Sequence, residues 1–309
     1  MFDIEPARYR QRHRERLIIG LLIIASAISI ITTIGILFSI LFQAIEFFQL
    51  KSLWYFLTGT EWYVHGGDSK FGALPIFAGT FMITVIALLV AIPVGLGSAI
   101  YMSEYANAHL RKLLKPMLEV LAGIPTVVYG FFAALTVAPA MVEFFSWFGV
   151  DATFNSALAC GVVMGVMIIP VISSLCDDVL RAVPNNQRNA SYALGLTQSE
   201  TIRSIILPAA MPGIISASLL GFSKAIGETM IVVMAAGLRP NLSWNPLEDM
   251  TTVTVRIVDA LVGDHAFDSP QTLSAFALGL ILFTITLLLN VVSVIQIRRF
   301  KAKYKVNTL

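Results

Sequence analysis

The sequence predicts an all-α membrane protein with six transmembrane helices and a short helical segment between the fourth and the fifth. Its 309 residues are 57% hydrophobic and only 13% charged, and the mean hydropathy is +0.79. Soluble domains carry about 25% charged residues. Six apolar runs account for most of the difference. The composition therefore excludes a disordered chain, a coiled coil and an ordinary cytosolic enzyme.

Each apolar run has the length that a helix needs to cross the hydrocarbon core, about 20 residues. Backbone groups in lipid must be hydrogen-bonded within the chain, and so these runs should be helical. The first run is much longer than the roughly 7–15 apolar residues of a signal peptide, which predicts an uncleaved span. The predicted spans are 17–42, 74–102, 118–145, 154–175, 214–238 and 273–297.

The distribution of basic residues predicts that both termini are cytoplasmic. Both tails and two alternate loops hold most of the 21 lysines and arginines, and such an excess marks the cytoplasmic side. The remaining loops hold only Lys51, Lys70, Arg239 and Arg256, and Lys224 lies inside the fifth span. The cytoplasmic set is Arg8, Arg10, Arg12, Arg14, Arg16, Arg111, Lys112, Lys115, Arg181, Arg188, Arg203, Arg298, Arg299, Lys301, Lys303 and Lys305.

The outer segments carry weaker signals. Apolar residues in 249–262 have the spacing of a short amphipathic helix. All four tryptophans fall in outer segments, which predicts an aromatic belt on that side. Cys160 and Cys176 are too few for a disulfide framework, and we expect both to pack inside the protein. The net charge of +2 gives no reason to expect a nucleic acid partner.

The loop between the fourth and fifth spans predicts two short helices. Pro184 suits the first turn of a helix over 185–194. Gly195 stands where a residue in the left-handed conformation would end that helix. Thr197 and Glu200 have the spacing of a capping box, which starts the next helix.

Two prolines follow these helices. Pro208 and Pro212 are expected to end the second helix and to turn the chain into the membrane. Turn and cap signals say nothing about partners, so the local pattern alone leaves two interpretations open. The segment is either a solvated loop or a surface that docks against another protein.

Ala190, Ser191 and Gly195, followed by Ile-Ile-Leu-Pro at 205–208, resemble the EAA loop of binding-protein-dependent ABC importer permeases. In that family the loop forms a coupling helix that sits in a groove of a cytoplasmic ATPase. This chain has Asn189 where the family has Glu, and so the resemblance implies no salt bridge from that position. The residues assigned to ATPase coupling are Arg188, Ala190, Ser191, Gly195 and Pro208.

Further motifs resemble the permeases of phosphate-specific importers. They are GALP (72–75), IPVGLG (92–97), AGIPTVVYG (122–130), LRAVP (180–184) and GFSKAIGETM (221–230). The end of the last motif, together with Ala-Pro at 138–139, is closer to the C-type subunit, PstC, than to its A-type partner. The resemblance divides the chain into a basic tail (1–16), a first helix with its outer loop (17–71), an importer transmembrane domain (72–303) and a C-terminal tail (304–309).

The resemblance also implies a complex in the inner membrane of a bacterium. Its partners would be a second permease of the PstA type, an ATPase dimer of the PstB type, an external phosphate-binding protein of the PstS type, and membrane lipid. The sequence contains no Walker-type loop, no nucleophile elbow and no H-E-x-x-H pattern. We therefore expect a chain that is not an enzyme and holds no cofactor, with ATP and magnesium bound by the partner ATPase.

Two charged residues, Lys224 and Glu228, are expected to lie on one face of the fifth span because they are four residues apart. An intramembrane charge is costly and should face protein or water. Either the two residues form an ion pair that only locks helices together, or Lys224 attracts an anion in a path. The phosphate importers commonly have Arg where this chain has Lys224. Ser223, Thr126 and Tyr129 could offer hydroxyls to such a path, although core packing explains the last two equally well.

The predicted function is the permease subunit of an ATP-driven phosphate importer. One alternative is an ABC importer of another oxyanion or small solute. Another is an ion-coupled secondary transporter or channel, which would need no ATPase. An intramembrane enzyme is the weakest alternative, because Lys224 and Glu228 do not form a recognisable nucleophile and base.

Overall fold

The computed structural model describes the backbone of residues 5–64, 69–262 and 266–304. His65, His265 and residues 305–309 of the predicted tail lie outside these ranges, as do the side chains before Glu15 and after Arg298. The helices are α1 (Glu5–Leu50), α2 (Leu53–Thr58), α3 (Leu74–Ile100), α4 (Ala108–Ala122), α5 (Thr126–Phe132), α6 (Ala138–Ser146), α7 (Ala157–Arg181), α8 (Asn185–Ala193), α9 (Gln198–Thr201), α10 (Leu207–Ile226), α11 (Met230–Ala235), α12 (Val253–Val262) and α13 (Pro270–Tyr304). Single π-helical turns at Tyr101–Tyr105, Ala133–Val137 and Ile202–Ile206 extend α3, join α5 to α6 and join α9 to α10.

Within the described ranges, six helical stretches are long and apolar enough to cross a membrane, which confirms the predicted number. They are Ile18–Leu50, Leu74–Tyr105, Thr126–Ser146, Ala157–Arg181, Gln198–Ile226 and Pro270–Arg298. The prediction was wrong about the start of the third span, which begins at Thr126 and not at residue 118. Residues 118–122 belong to α4, an amphipathic helix that buries none of its residues. The helical conformation is interrupted between α4 and α5 because Pro125 disfavours a helical conformation in the residue before it.

The core of the bundle is the packing of α3 against α7. Small residues at the contact let the two backbones approach closely. A Cβ added to Gly161 would lie 2.7 Å from the Cβ of Ile86, and one added to Gly165 would lie 2.7 Å from the Cβ of Val90. Cys160 and Cys176 are buried free thiols in this core, as expected. The α3–α7 pair is the frame on which the other helices are placed.

A second cluster lies at the opposite end of the bundle from α8. It is an aromatic core of fully buried Phe47, Phe56 and Phe71 with Trp62, whose rings meet edge to face at 5.3–6.2 Å. Trp62 and Phe71 are paired residues of a small antiparallel hairpin, β1 (Trp62–Tyr63) and β2 (Lys70–Phe71), which an all-α prediction did not include. Trp62 therefore packs inside the protein and is not available to the predicted aromatic belt, whereas Trp244 is exposed.

The amphipathic helix expected in 249–262 is confirmed as α12. Its first residue is fixed to α3, because the backbone N–H of Val253 donates to Thr80 Oγ1 at 3.0 Å. Thr251, two residues before Val253, lies so close to Gly79 that a Cβ added to that glycine would come within 2.2 Å of the Thr251 carbonyl oxygen. These contacts fold α12 back against the bundle beside the fifth span.

Candidate transport path and coupling segment

The fifth span is broken within the region that the sequence predicts as one continuous helix, 214–238. Helix α10 ends at Ile226, and the short helix α11 begins at Met230. The carboxylate of Glu228 lies in the gap, where its Oε1 accepts hydrogen bonds from the backbone N–H groups of Met230 at 3.0 Å and Ile231 at 3.3 Å. A side chain that satisfies the free N–H groups of a new helix competes with continuation of the old one.

Lys224 and Glu228 do not form an ion pair. The prediction that they share one helical face is wrong because the helix ends between them. Glu228 is buried, at 8% exposed, and bonds to backbone donors. Lys224 is partly exposed on the last turn of α10, and within the part of the chain that the structure describes it has no hydrogen bond and no ion pair. A helix-locking pair is therefore excluded for these two residues.

The partners of the Glu228 carboxylate are backbone N–H groups and not a cation. The N-terminus of a helix carries a partial positive charge, and the carboxylate sits directly on that of α11. The backbone carbonyl of Glu228 also accepts a hydrogen bond from Thr254 Oγ1 of α12 at 2.8 Å. The backbone of α11 and a side chain of α12 thus both bond to Glu228 at the break.

The start of the third span packs beside this break. A Cβ added to Gly130 of α5 would lie 3.3 Å from the carbonyl oxygen of Met230 in α11, so the two short helices are in close contact. Tyr129 is buried, and its hydroxyl donates to the carbonyl of Leu121 at the end of α4, at 3.0 Å. This bond supports the packing interpretation of Tyr129. Thr126 is the first residue of α5 and is partly exposed, and Ser223 of α10 is exposed.

Residues 184–206, which lie between the predicted fourth and fifth spans, are called the coupling segment below. The helix predicted over 185–194 in this segment is confirmed as α8, Asn185–Ala193. It ends as expected, because Gly195 adopts a φ of +82°. The N–H of Gly195 donates to the carbonyl of Tyr192 at 3.0 Å, and that of Leu196 donates to Ser191 at 3.3 Å, the pattern of a Schellman cap. The capping box of Thr197 and Glu200 is also present.

The second helix of this segment does not end at its prolines. Helix α9 runs through the π-helical turn Ile202–Ile206 directly into α10, so that one helical stretch, Gln198–Ile226, enters the bundle. Pro208, the second residue of α10, follows this turn, and its missing N–H removes one hydrogen bond from the continuous helix. The widened turn before it accommodates its ring, as π-turns commonly do where a helix bends.

The side chains assigned to ATPase coupling divide into two groups. Ala190 is exposed, and so is Leu194, which was not among the assigned residues and is 81% exposed at the end of α8. Ser191 faces inward instead, with its hydroxyl 2.8 Å from that of Thr201 in α9. Arg188 also faces inward, and its guanidinium pairs with Glu104 at the end of the second span. The sequence does not show in which direction each side chain points, and so the prediction placed these residues on one surface.

Sequence reasoning missed an ion cluster that joins α4 to α7. Asp177 is fully buried and contacts Arg111 at 2.9 Å, Arg181 at 3.0 Å and Lys115 at 4.0 Å, and Lys115 also contacts Asp178 at 2.8 Å. In the sequence, the three basic residues indicate only the orientation of the chain. A detectable signal was present, since Asp177 and Arg181 are four residues apart at the end of an apolar run.

The fold is that of a multi-pass transport permease, with six apolar spans, helices that are broken inside the bundle and an exposed α8 at one end. Irregular backbone at membrane depth is tolerated where it lines a path or is buried in protein. Residues 91–302 match the family described as "Binding-protein-dependent transport system inner membrane component". The chain belongs to this family.

Individual relatives are consistent with that membership. The "Probable ABC transporter permease protein YqgH" of Bacillus subtilis is 35% identical over 81% of this chain and 78% of its own length. The "Phosphate transport system permease protein PstC" of Mesorhizobium japonicum is 31% identical over 90% of this chain and 89% of its own. A solved bacterial ABC transporter that imports the acidic polysaccharide alginate has a similar fold, with a TM-score of 0.63, 14% identity and coverage of 95% and 99% of the two chains.

Proposed function

We propose that this chain is the PstC-type permease of an ATP-driven importer of inorganic phosphate. The observation that carries the proposal is Lys224, a cation in the fifth span with no partner in the described chain, beside the break that Glu228 caps. An intramembrane charge without an internal partner favours a role toward a substrate or a neighbouring subunit. The PstC relatives support phosphate as the substrate.

Lys224 has the chemistry for brief contact with an anion. Its ammonium is a compact point charge that cannot grip an oxyanion with two parallel bonds, as Arg does. Transport requires binding that is favourable yet weak enough for release. The buried carboxylate of Glu228 lies four residues further along the chain, beyond the end of α10, and limits how strongly the site attracts an anion. Ser223 and Thr126 are the proposed hydroxyl donors along the same path.

The proposed complex contains a second permease of the PstA type, two PstB-type ATPase subunits and an external PstS-type phosphate-binding protein. The exposed end of α8, with Ala190 and Leu194, would dock on the ATPase. ATP and magnesium would be bound there and not by this chain, which would be neither an ATPase nor a cofactor protein. Both termini and α8 would lie in the cytoplasm of a bacterial cell, on the basic side of the membrane.

The proposal is tested with the intact complex in liposomes that contain ATP. Uptake of radioactive phosphate should require the binding protein and ATP, and a tenfold excess of sulfate or molybdate should not compete. Competition by another oxyanion would favour the alternative of a related ABC importer. Uptake without ATP and without the ATPase would contradict the proposal and favour a secondary transporter.

Orientation is tested by single cysteines in a chain whose Cys160 and Cys176 are replaced by alanine. Lys112→Cys, in exposed α4, should react with an impermeant reagent only from the cytoplasmic side. Trp244→Cys, in an exposed outer loop, should react only from outside. Reaction of both from one side would contradict the proposed topology.

A further inference from the structure

Three elements of the fold meet at Glu104, in the π-helical turn Tyr101–Tyr105 that ends the second span. Its carboxylate Oε2 accepts from Arg188 of α8 at 2.5 Å, and its Oε1 accepts from the hydroxyl of Ser103 at 2.6 Å. Its backbone carbonyl accepts from the side chain of Gln198, the first residue of α9, at 2.7 Å. Glu104 therefore links the end of the second span to both helices of the coupling segment.

Arg188 completes the connection to the fourth span. While one of its terminal nitrogens bonds to Glu104, the other donates to the backbone carbonyl of Leu180, in the last turn of α7, at 2.8 Å. Both side chains are shielded, with 15% of Arg188 and 4% of Glu104 exposed. A planar guanidinium holds two acceptors in fixed directions, and a shielded charge pair resists separation. This geometry resists independent movement of α8 and the ends of the second and fourth spans.

We propose that Glu104 and Arg188 are positioning residues that make α8 and the second span move as one body during the ATP cycle. The inference rests on the proposed function, because it assigns a mechanical task to the segment that would dock on the ATPase. Arg188 would then act by transmitting the displacement of α8 and not by contacting the ATPase. In a permease without this joint, α8 could follow the ATPase while the second span remained still.

The joint is tested directly by spin labels at Gln187 of α8 and Tyr101 of the π-helical turn, both exposed, in the complete complex. The expected result is one narrow distance distribution that is unchanged between the ATP-free and ATP-bound complex. Arg188→Gln and Glu104→Gln should each broaden it, whereas Asp178→Asn, a carboxylate change in an exposed pair at the same end, should not. A distance that changes with ATP in the unmodified pair would overturn the inference, as would identical distributions in all variants.

Transport provides the second readout. Arg188→Gln and Glu104→Gln should each lower ATP-driven uptake at least tenfold while the ATPase still copurifies and hydrolyses ATP, and Arg188→Lys, which keeps one bond of the two, should recover part of it. Loss of the ATPase from the purified complex would instead show that Arg188 docks the partner, and uptake within twofold of the unmodified complex would show that the joint is dispensable. If the unmodified complex takes up no phosphate, the proposed function fails, and the spin-label distances still decide whether the joint exists.

Discussion

The charged groups at the α8 end of the bundle differ from those at the break in the fifth span. At the α8 end, Asp177 and Glu104 are almost completely buried. Asp177 is paired with Arg111 of α4 and with Arg181 of its own helix, and Glu104 is paired with Arg188 of α8. At the break, Glu228 is satisfied by backbone N–H groups, and Lys224 has no partner in the described chain. The comparison indicates that charges with internal partners fasten the helices together, whereas the unpartnered cation is available to a substrate or a second subunit.

The largest expected effect concerns the unpartnered cation. Lys224→Gln removes the charge but no internal contact, so the complex should assemble normally and lose at least a hundredfold in phosphate uptake. Lys224→Arg keeps the charge and should retain much more uptake than Lys224→Gln, while its two-bond grip on an oxyanion slows release. The double variant Lys224→Gln with Glu228→Gln should behave like Lys224→Gln, since the two residues are not paired. Recovery of uptake in the double variant would contradict the path role.

The second effect should be on stability and not on transport. Asp177→Asn leaves Arg111 and Arg181 without their shared counter-charge in a shielded site. Breaking a buried ion pair costs about 3–5 kcal/mol, and the partial exposure of both arginines places this change near 2–3 kcal/mol. The melting temperature of the purified permease should fall by about 5 °C or more. Asp178→Asn, which alters the exposed neighbour, serves as the control and should change it by less than 2 °C.

The third effect concerns the end of α8. Gly195 has a φ of +82° and open space around it, so the cost of a substitution there comes from the backbone alone. A left-handed conformation costs about 1–2 kcal/mol for an ordinary residue and more for a β-branched one. Gly195→Val should therefore lower ATP-driven uptake about tenfold with the spans still inserted. Gly195→Asn, which tolerates this conformation, should have a much smaller effect, and equal uptake in both variants would contradict the cap's importance.

The smallest effect should separate two functions of Glu228. Gln keeps an oxygen that accepts from Met230 and Ile231, whereas Ala removes it and leaves two buried N–H groups unsatisfied. If Glu228 acts mainly as a cap, Glu228→Gln should keep uptake within about threefold. Glu228→Ala should lower uptake further, because loss of a cap costs roughly 1 kcal/mol of stability. A large loss in Glu228→Gln would instead show that its negative charge takes part in transport.

Local signals predicted α8 and the start of α9 correctly, although the prediction that Pro208 and Pro212 end the second helix was wrong. Helix 185–194, the glycine cap and the capping box involve residues within a few positions of one another, and each is confirmed. Apolar length likewise predicted six spans. Predictions failed where a long apolar pattern hides an interruption, as at Gly227–Thr229 and before Thr126. Hydropathy is nearly insensitive to such a break, because a few residues change neither the mean nor the length of the run.

The sequence by itself determined the class of protein, the number of spans and the ends of α8, because composition and short-range hydrogen bonding decide these properties. Only the tertiary structure decided which charges are partners. Glu104 and Arg188 are 84 residues apart in sequence, and Asp177 and Arg111 are 66 apart, so no local pattern relates them. Lys224 and Glu228 are four apart and do not meet, because α11 offers the carboxylate two backbone donors that a continuous helix would have used for itself.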